Sequence, residues 1–250
     1  MTTVDTAATA MIIGASSSLS KELARQLANQ NVKLILFVQQ PEAMQSFAAE
    51  LNTSVEVLPL SILMPDTAIS QIKQAWQQHE GAHLVIINTG VNGYDSSLPW
   101  ELEQGIINVN VMGFTAISNC VFKLMKEQGY GQIAAINSIA GQRGGPSMAY
   151  HASKAYAANY MQGLSMHAQR LKLPITISDI QLGLLDKAAL QQNRFLLPPL
   201  EKVAKQILTA LQKGKRRVYV TKRWRVVAWL NRYLPEYIYN TRHWKSKKKK

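Results

Sequence analysis

The chain has a single cysteine, Cys120, which excludes an internal disulfide and any cysteine-cluster metal site. It has no apolar run that approaches the roughly 20 residues a membrane-spanning helix needs. Its first ten residues contain no Lys or Arg and no apolar core of a secretory signal. These absences predict a soluble, cytoplasmic protein that binds no metal.

Acidic residues are also scarce, and the resulting positive charge lies at one end of the chain. The 250 residues include 15 Asp and Glu against 28 Lys and Arg, a formal net charge of +13. Residues 213–250 hold fourteen of the basic residues and one acidic residue, Glu236, so residues 1–212 are neutral overall. A nucleic-acid-binding fold needs a basic face on its body. We therefore expect no specific nucleic-acid partner.

Short apolar runs rich in β-branched residues alternate with longer stretches of helical spacing. Apolar strands that alternate with helices are typical of a parallel sheet covered on both faces. The pattern predicts an α/β fold with a Rossmann-like, doubly wound parallel sheet of about seven strands. The predicted strands are 11–13, 32–38, 55–58, 84–87, 133–136, 175–180 and 218–220.

The first predicted strand leads into a turn of small residues, Gly14-Ala15-Ser16-Ser17-Ser18-Leu19-Ser20. A turn of this kind at a helix start lets backbone N–H groups face a pyrophosphate. Serines are also preferred helix N-caps for reasons unrelated to ligands. Taken alone, the segment is consistent with either a phosphate site or a plain N-cap.

Tyr150 and Lys154 are four residues apart, so on a helix they lie on one face, a turn from each other. A cation beside the phenol would lower the pKa of Tyr150 toward working pH and make it a usable general acid or base. A helix with one surface tyrosine and one surface lysine is the alternative.

Several motifs together resemble the short-chain dehydrogenase/reductase family, over about residues 11–221. That family has a serine at the end of its fifth strand, then Tyr-x-x-x-Lys about a dozen residues later, with Asn-x-x-Gly on the preceding helix. It also has Asn-Asn-Ala-Gly after strand four and Pro-Gly-x-x-x-Thr after strand six, of which this chain keeps part. The matching residues are Asn88, Gly90, Asn110, Gly113, Ser138, Tyr150, Lys154 and Gly183.

The resemblance implies an NAD(P)-dependent oxidoreductase that transfers a hydride between nicotinamide and a carbonyl or alcohol. It implies that Ser138 binds the substrate oxygen, that Tyr150 exchanges its proton, and that Lys154 holds the nicotinamide ribose and tunes Tyr150. Asn110 would keep a water behind Lys154 as a proton relay. The cofactor-binding residues that it implies are Gly14, Ser16, Ser18, Leu19, Gln39, Ser61, Asn88, Gly90, Tyr150, Lys154 and Gly183.

The chain departs from the family pattern around the expected nucleotide. Ser18 and Ser20 stand where the second and third glycines of the first turn belong, and Ser61 stands where many relatives bind adenine with an aspartate. After the second strand, Val38 and Gln39 replace the acid that binds the ribose of NAD and the arginine that accepts the phosphate of NADP. Loss of the acid favours NADP over NAD.

These departures leave an alternative open, a non-catalytic binding or scaffold protein with a degenerate glycine-rich loop. Packing alone does not require Asn110, Ser138, Tyr150 and Lys154 together, so their complete presence favours the enzyme. In this family, homo-oligomers usually form on the helices that carry Asn110 and Tyr150, and we expect one here.

Two segments remain after the sixth predicted strand. Residues 184–199 are rich in apolar side chains and would cover an apolar substrate, or else simply pack on the sheet. We divide the chain into a catalytic domain, 1–221, and an extension, 222–250, whose apolar stripe, tryptophans and basic residues predict an amphipathic helix on an anionic membrane surface. The alternative is that this helix packs on protein and that its terminal lysines are solvated.

Overall fold

A computed structural model of the chain describes residues 8–183 and 198–240. Each of the seven predicted strands is present, with ends within two residues of those predicted. The strands are β1 Thr9–Ile13, β2 Lys33–Val38, β3 Val55–Pro59, β4 Leu84–Ile87, β5 Gly131–Ser138, β6 Ile175–Leu182 and β7 Arg217–Val220.

All seven strands pair in parallel, in the order β3-β2-β1-β4-β5-β6-β7. The direction of winding reverses between β1 and β4, which pair with Ile13 opposite Ile87. In doubly wound sheets a ligand crevice lies outside the carboxyl ends of the strands at this reversal. The predicted fold class is therefore confirmed.

Nine helices connect or follow the strands in the described ranges. They are α1 Ser18–Ala28, α2 Gln45–Ala49, α3 Pro65–Gln78, α4 Trp100–Ile107, α5 Phe114–Gln128, α6 Met148–Arg170, α7 Leu200–Gln212, α8 Lys222–Tyr233 and α9 Glu236–Asn240. A π-helical segment, Asn108–Gly113, joins α4 to α5, and 3-10 turns cover Pro41–Met44 and Ile139–Gln142.

Two apolar layers hold the helices on the sheet. Because strand side chains alternate, Ile13 faces the layer formed with α3, α5 and α6, and Ile12 faces the layer formed with α1 and α7. Each fully buried aliphatic side chain stabilises the fold by about 1.5–3 kcal/mol. At the carboxyl ends of β5 and β6 the layer under α6 becomes polar, with Asn137, Asp179 and Gln181 buried there.

The helices α4 and α5 and the π-helical segment form one continuous helix, Trp100–Gln128. Its most apolar window has a mean hydropathy of 1.4, so by length and composition it could cross a membrane. The sequence patterns did not predict a helix of this length and apolarity, and it is the one such helix among the residues described. Half of that window is buried in the fold, as expected for a core helix of an α/β domain.

Candidate active site

Three of the predicted catalytic side chains meet at the carboxyl end of β5. Ser138 is the last residue of that strand, and Tyr150 and Lys154 lie a turn apart in α6. The Lys154 Nζ atom is 5.6 Å from the centre of the Tyr150 ring, and the Ser138 hydroxyl lies close enough to the Tyr150 phenol to lower its pKa. The structure therefore brings a hydroxyl, a phenol and an ammonium together at one point.

The turn after Ser138 sets the position of that strand end against α6. The Ser138 hydroxyl accepts a hydrogen bond from the N–H of Ala140 at 3.1 Å and so caps the 3-10 turn. Within the turn, a Cβ on Gly141 would lie 2.5 Å from the carbonyl carbon of Lys154. Only glycine allows this approach, so Gly141 fixes Ser138 relative to the helix that carries Tyr150 and Lys154.

Burial governs the titration of both α6 groups. Burial raises the pKa of Tyr150 above its ordinary value of 10.0, and the hydrogen bond with Ser138 lowers it by less. This is opposite to the predicted direction, because removing the phenolate from water outweighs its stabilisation. Burial also lowers the pKa of Lys154 from 10.5 to about 8, while the nearby Asp179 carboxylate raises it.

Asn110 lies in the π-helical segment and is buried. Its Nδ2 donates to the carbonyl oxygen of Val91 at 2.9 Å and to Ser153 Oγ at 3.0 Å, and its Oδ1 accepts from the N–H of Val91 at 2.8 Å. Ser153 in turn donates to the carbonyl oxygen of Tyr150 at 2.7 Å. The Asn110 side chain therefore ties the loop after β4 to the catalytic helix, a role that its sequence motif did not indicate.

The turn between β1 and α1 has the shape that a phosphate site requires. Gly14 has a φ of +80°, and a Cβ there would lie 2.3 Å from the carbonyl oxygen of Asn88, so another residue would not fit. Ser16, Ser17 and Ser18 are exposed at the start of α1. Backbone N–H groups at a helix start attract anions, so these residues fit the pyrophosphate of a dinucleotide.

Ser20, in place of the third family glycine, is fully buried. Its hydroxyl donates to the carbonyl oxygen of Gly14 at 2.8 Å and accepts from Asn88 Nδ2, also at 2.8 Å. Asn88 Nδ2 also donates to the Oγ of Ser17, the N-cap of α1, at 2.8 Å. Asn88, predicted to contact the cofactor, uses its amide to hold the loop. Ser17 was missed, although the N-cap preference for serine could have indicated it.

The other predicted cofactor residues lie along the same edge of the sheet. Gln39 is exposed just after β2, and the N–H of Ser61, after β3, donates to Gln71 Oε1 at 3.1 Å. Leu19 is a buried residue of α1 and belongs to the core. Gly90 lies against the lysine, since a Cβ there would be 3.0 Å from Lys154 Nζ.

The extension reaches this edge as well. The indole ring of Trp224 packs on Gly183, where a Cβ would lie 2.1 Å from the ring. Farther along, Arg143 donates to the carbonyl oxygen of Leu234 and lies 4.6 Å from the Tyr239 ring centre, and Tyr239 donates to the carbonyl oxygen of Gly144 at 2.6 Å. Helices α8 and α9 are therefore docked on the segment between Ser138 and Tyr150.

A Ser-Tyr-Lys cluster and an open helix N-terminus at the winding reversal of a parallel sheet define a Rossmann-type oxidoreductase. The model of the short chain dehydrogenase family matches residues 8–196. The chain is 31% identical over 196 residues to an uncharacterized oxidoreductase of Myxococcus xanthus, covering 76% of this chain and 77% of the relative. The chain belongs to the short-chain dehydrogenase family, and with it to the NAD(P)-dependent oxidoreductases.

Two further similarities are more distant. The chain is 23% identical over 216 residues to a very-long-chain 3-oxoacyl-CoA reductase of Mycosarcoma maydis, covering 81% of this chain and 61% of that protein. A short-chain dehydrogenase/reductase of Burkholderia phymatum, solved in complex with NAD, superimposes with a TM-score of 0.80. It is 18% identical, and the match covers 90% of this chain and 92% of the other. That likeness concerns the fold.

Proposed function

We propose that this oxidoreductase interconverts a carbonyl and an alcohol, with Tyr150 as the proton-transferring residue. The observation that carries the proposal is the meeting of Ser138, Tyr150 and Lys154 around one point at the end of β5. When bound, NAD(P) supplies or accepts the hydride. The protein's own part is to bind the substrate oxygen and to move one proton.

In the reducing direction, the Ser138 hydroxyl holds the substrate oxygen and the Tyr150 hydroxyl gives it a proton. The Lys154 ammonium stabilises the phenolate that remains, because the two groups are close and shielded from water. Lys154 and Gly90 lie together where the nicotinamide ribose would be held. Asn110 holds the loop after β4 against the helix α6. We also propose that a water molecule near Asn110 relays the proton behind Lys154.

The test is a panel of carbonyl compounds, with NADPH oxidation followed by absorbance. A general acid contributes about 10²–10⁴-fold to such a step, so Tyr150→Phe should lose activity by that factor. Tyr156→Phe is a matched control, because Tyr156 lies on the same helix and bonds Thr115 instead. Undiminished turnover by Tyr150→Phe contradicts the proposal.

For the cofactor, we propose a preference for NADP. Val38 and the exposed Gln39 leave the end of β2 without a carboxylate to repel a ribose phosphate. The backbone and serine hydroxyls of residues 16–18 would bind the pyrophosphate in either case. A fluorescence titration should give a lower Kd for NADPH than for NADH. Binding of neither would favour the non-catalytic scaffold instead.

We propose an apolar substrate. The Mycosarcoma maydis relative is named for reducing very-long-chain 3-oxoacyl-CoA, and the indole of Trp224 supplies an apolar wall at Gly183. The predicted cover at 184–199 lies outside the described residues except for Pro198 and Pro199. Within the carbonyl panel, long-chain 3-oxoacyl thioesters should therefore give a higher kcat/KM than short-chain ones.

We propose that helix α8 brings the enzyme to an anionic membrane surface. Trp229 and Tyr233 are 60% and 64% exposed, which suits an interfacial helix. Arg225 and Arg232 border the same groove as these two aromatic side chains. The terminal lysines at 245–250 lie outside the described residues.

Co-sedimentation with vesicles of anionic or neutral lipid tests the membrane proposal. Trp229→Ser with Leu230→Ser should weaken binding to anionic vesicles. A control variant, Leu63→Ser with Met64→Ser, removes two apolar residues of similar exposure outside the extension. Equal binding by both variants contradicts the proposal.

We also propose a homo-oligomer formed through the helices that carry Asn110 and Tyr150. Its support is a set of exposed apolar side chains on those helices, Ile107, Met112, Tyr156 and Met166. Light scattering of the full chain should give a multiple of the 27.9 kDa monomer mass. Met166→Glu should reduce that mass.

A further inference from the structure

The polar layer beneath α6 contains a carboxylate that none of the family motifs includes. Asp179 in β6 is 1% exposed. Ile175 and Ile177 precede it on the same face of the strand and belong to the apolar core. A buried charge is costly unless it is paired and hydrogen-bonded. The contacts of Asp179 therefore indicate what it does there.

Three groups satisfy the Asp179 carboxylate. Its Oδ1 accepts from Asn137 Nδ2 at 3.1 Å, and its Oδ2 accepts from Gln181 Nε2 at 2.7 Å. Arg217 Nε, from β7, lies 3.4 Å from Oδ2 and forms an ion pair. Burial has the larger effect and raises the pKa of Asp179, whereas the two amide hydrogen bonds and the charges of Arg217 and Arg216 lower it by less. These contacts favour the ionised carboxylate.

Asn137 connects this carboxylate to two catalytic residues. The same Nδ2 that binds Asp179 also donates to the carbonyl oxygen of Lys154 at 3.2 Å. Its Oδ1 accepts from the N–H of Ser138 at 2.9 Å. One buried side chain thus holds the end of β5, the middle of α6 and the carboxylate on β6 together. Asp179 orients that amide by occupying one of its donors.

Among the described residues, Asp179 is the anion whose charge acts on Lys154. On α6 the ionisable neighbour of Lys154 is Tyr150, which burial keeps protonated at neutral pH. On the sheet side, Asp179 is the anion whose field raises the pKa of Lys154 against the effect of burial. Arg216 and Arg217 lie beyond Asp179 on β7 and stabilise its ionised form.

We propose that Asp179 is a positioning residue of the active site. Through Asn137 it fixes Ser138 and the backbone of Lys154, and its negative charge keeps Lys154 an ammonium in a site shielded from water. The inference concerns the catalytic roles given above to Ser138 and Lys154, and it adds a residue that acts through both without touching the substrate.

The test is a titration of Lys154 in the full chain, read by NMR of lysine labelled with ¹³C at Cε. Lys154→Arg identifies the resonance. In the unaltered protein the midpoint should lie at about 8, as the pKa of Lys154 indicates. Asp179→Asn keeps the shape and removes the charge, so the midpoint should fall by about 0.5–1.5 pH units. An unmoved midpoint overturns the proposal.

Two control variants separate charge from packing. Gln181→Met removes a hydrogen bond to the same carboxylate and leaves its charge, so the midpoint should stay within about 0.2 pH units of the original value. An equal fall in this variant would mean that Asp179 acts only through packing, and would overturn the proposal. Arg217→Gln keeps the carboxylate, so its midpoint should be equal to or above that of the unaltered protein.

The Arg217→Gln result decides the matter if Asp179→Asn does not fold. A lower midpoint in Arg217→Gln contradicts a role for the negative charge. Because the titration uses neither cofactor nor substrate, it stands or fails separately from the proposed reaction. With an active substrate, kcat/KM should begin to fall at a lower pH in Asp179→Asn than in the unaltered protein. The shift in pH should equal the shift of the NMR midpoint.

Discussion

The nucleotide turn and the catalytic layer lie at the same edge of the sheet, yet they relate to the family pattern in opposite ways. The turn at 14–20 lacks two of the family glycines, and the Ser20 hydroxyl connects it to Asn88, just after β4, by donating to Gly14 and accepting from Asn88. The catalytic layer keeps every family residue, and below it Asp179 and Arg217 add a buried ion pair. The departure in the turn is compensated by local hydrogen bonds, whereas the catalytic residues depend on contacts from three strands.

Apart from the loss of Tyr150 itself, the largest effect should come from breaking the catalytic layer at Gly141. In Gly141→Ala the new Cβ would meet the backbone of Lys154, so the turn and α6 must separate. We expect a loss of about 1–3 kcal/mol in the free energy of unfolding and a fall in kcat of tenfold or more. Gly144→Ala is the control, because no atom lies within 4 Å of a Cβ there. Denaturant unfolding and steady-state rates give both quantities.

A change of pH should affect the catalytic layer and spare the nucleotide turn. Lys154 is protonated below its pKa of about 8 and neutral above it, while Tyr150, with its raised pKa, keeps its proton over this range. For carbonyl reduction we therefore expect kcat/KM to be flat below pH 8 and to fall about tenfold per pH unit above it. In Lys154→Arg the fall of kcat/KM above pH 8 should disappear, because arginine keeps its charge. If kcat/KM of Lys154→Arg still falls above pH 8, the titrating group is not Lys154.

A smaller effect is expected from the turn. Ser20→Ala removes the hydroxyl that joins Gly14 to Asn88, which should lower the free energy of unfolding by about 1–2 kcal/mol. Cofactor binding should weaken severalfold, with kcat at saturation unchanged. Ser16→Ala, at an exposed site in the same turn, should stay within about 0.5 kcal/mol of the unaltered protein. Equal losses in both variants would show that Ser20 has no special role.

The smallest effect is expected on restoring the family residue at position 18. Ser18 is exposed, so Ser18→Gly removes a Cβ that would face the phosphates and costs under about 1 kcal/mol in helix stability. The Kd for NADPH should fall by a few-fold or less. A tenfold tighter complex would mean that the serine, and not the rest of the nucleotide edge, limits cofactor binding.

Much of this molecule could be predicted from local sequence. The strands follow from apolar runs, and the pairing of Tyr150 with Lys154 follows from spacing, because residues four apart share a helix face. The place of Ser138 beside them was implied by the resemblance to the family. Asp179 could not be found in this way, since its three partners come from three strands and form no motif. The loop role of Asn88 and the groove beside Arg225 and Arg232 likewise depend on how distant segments pack.

The contacts of Arg143 and Tyr239 with the segment between Ser138 and Tyr150 have a thermodynamic consequence. If substrate binding orders that segment and the proposed membrane binding orders the docked extension, the two binding equilibria share one coupling free energy. By reciprocity, if the membrane surface increases the affinity for substrate by a given factor, bound substrate increases the affinity for that surface by the same factor. The enzyme would then stay longest at the places where its substrate is abundant.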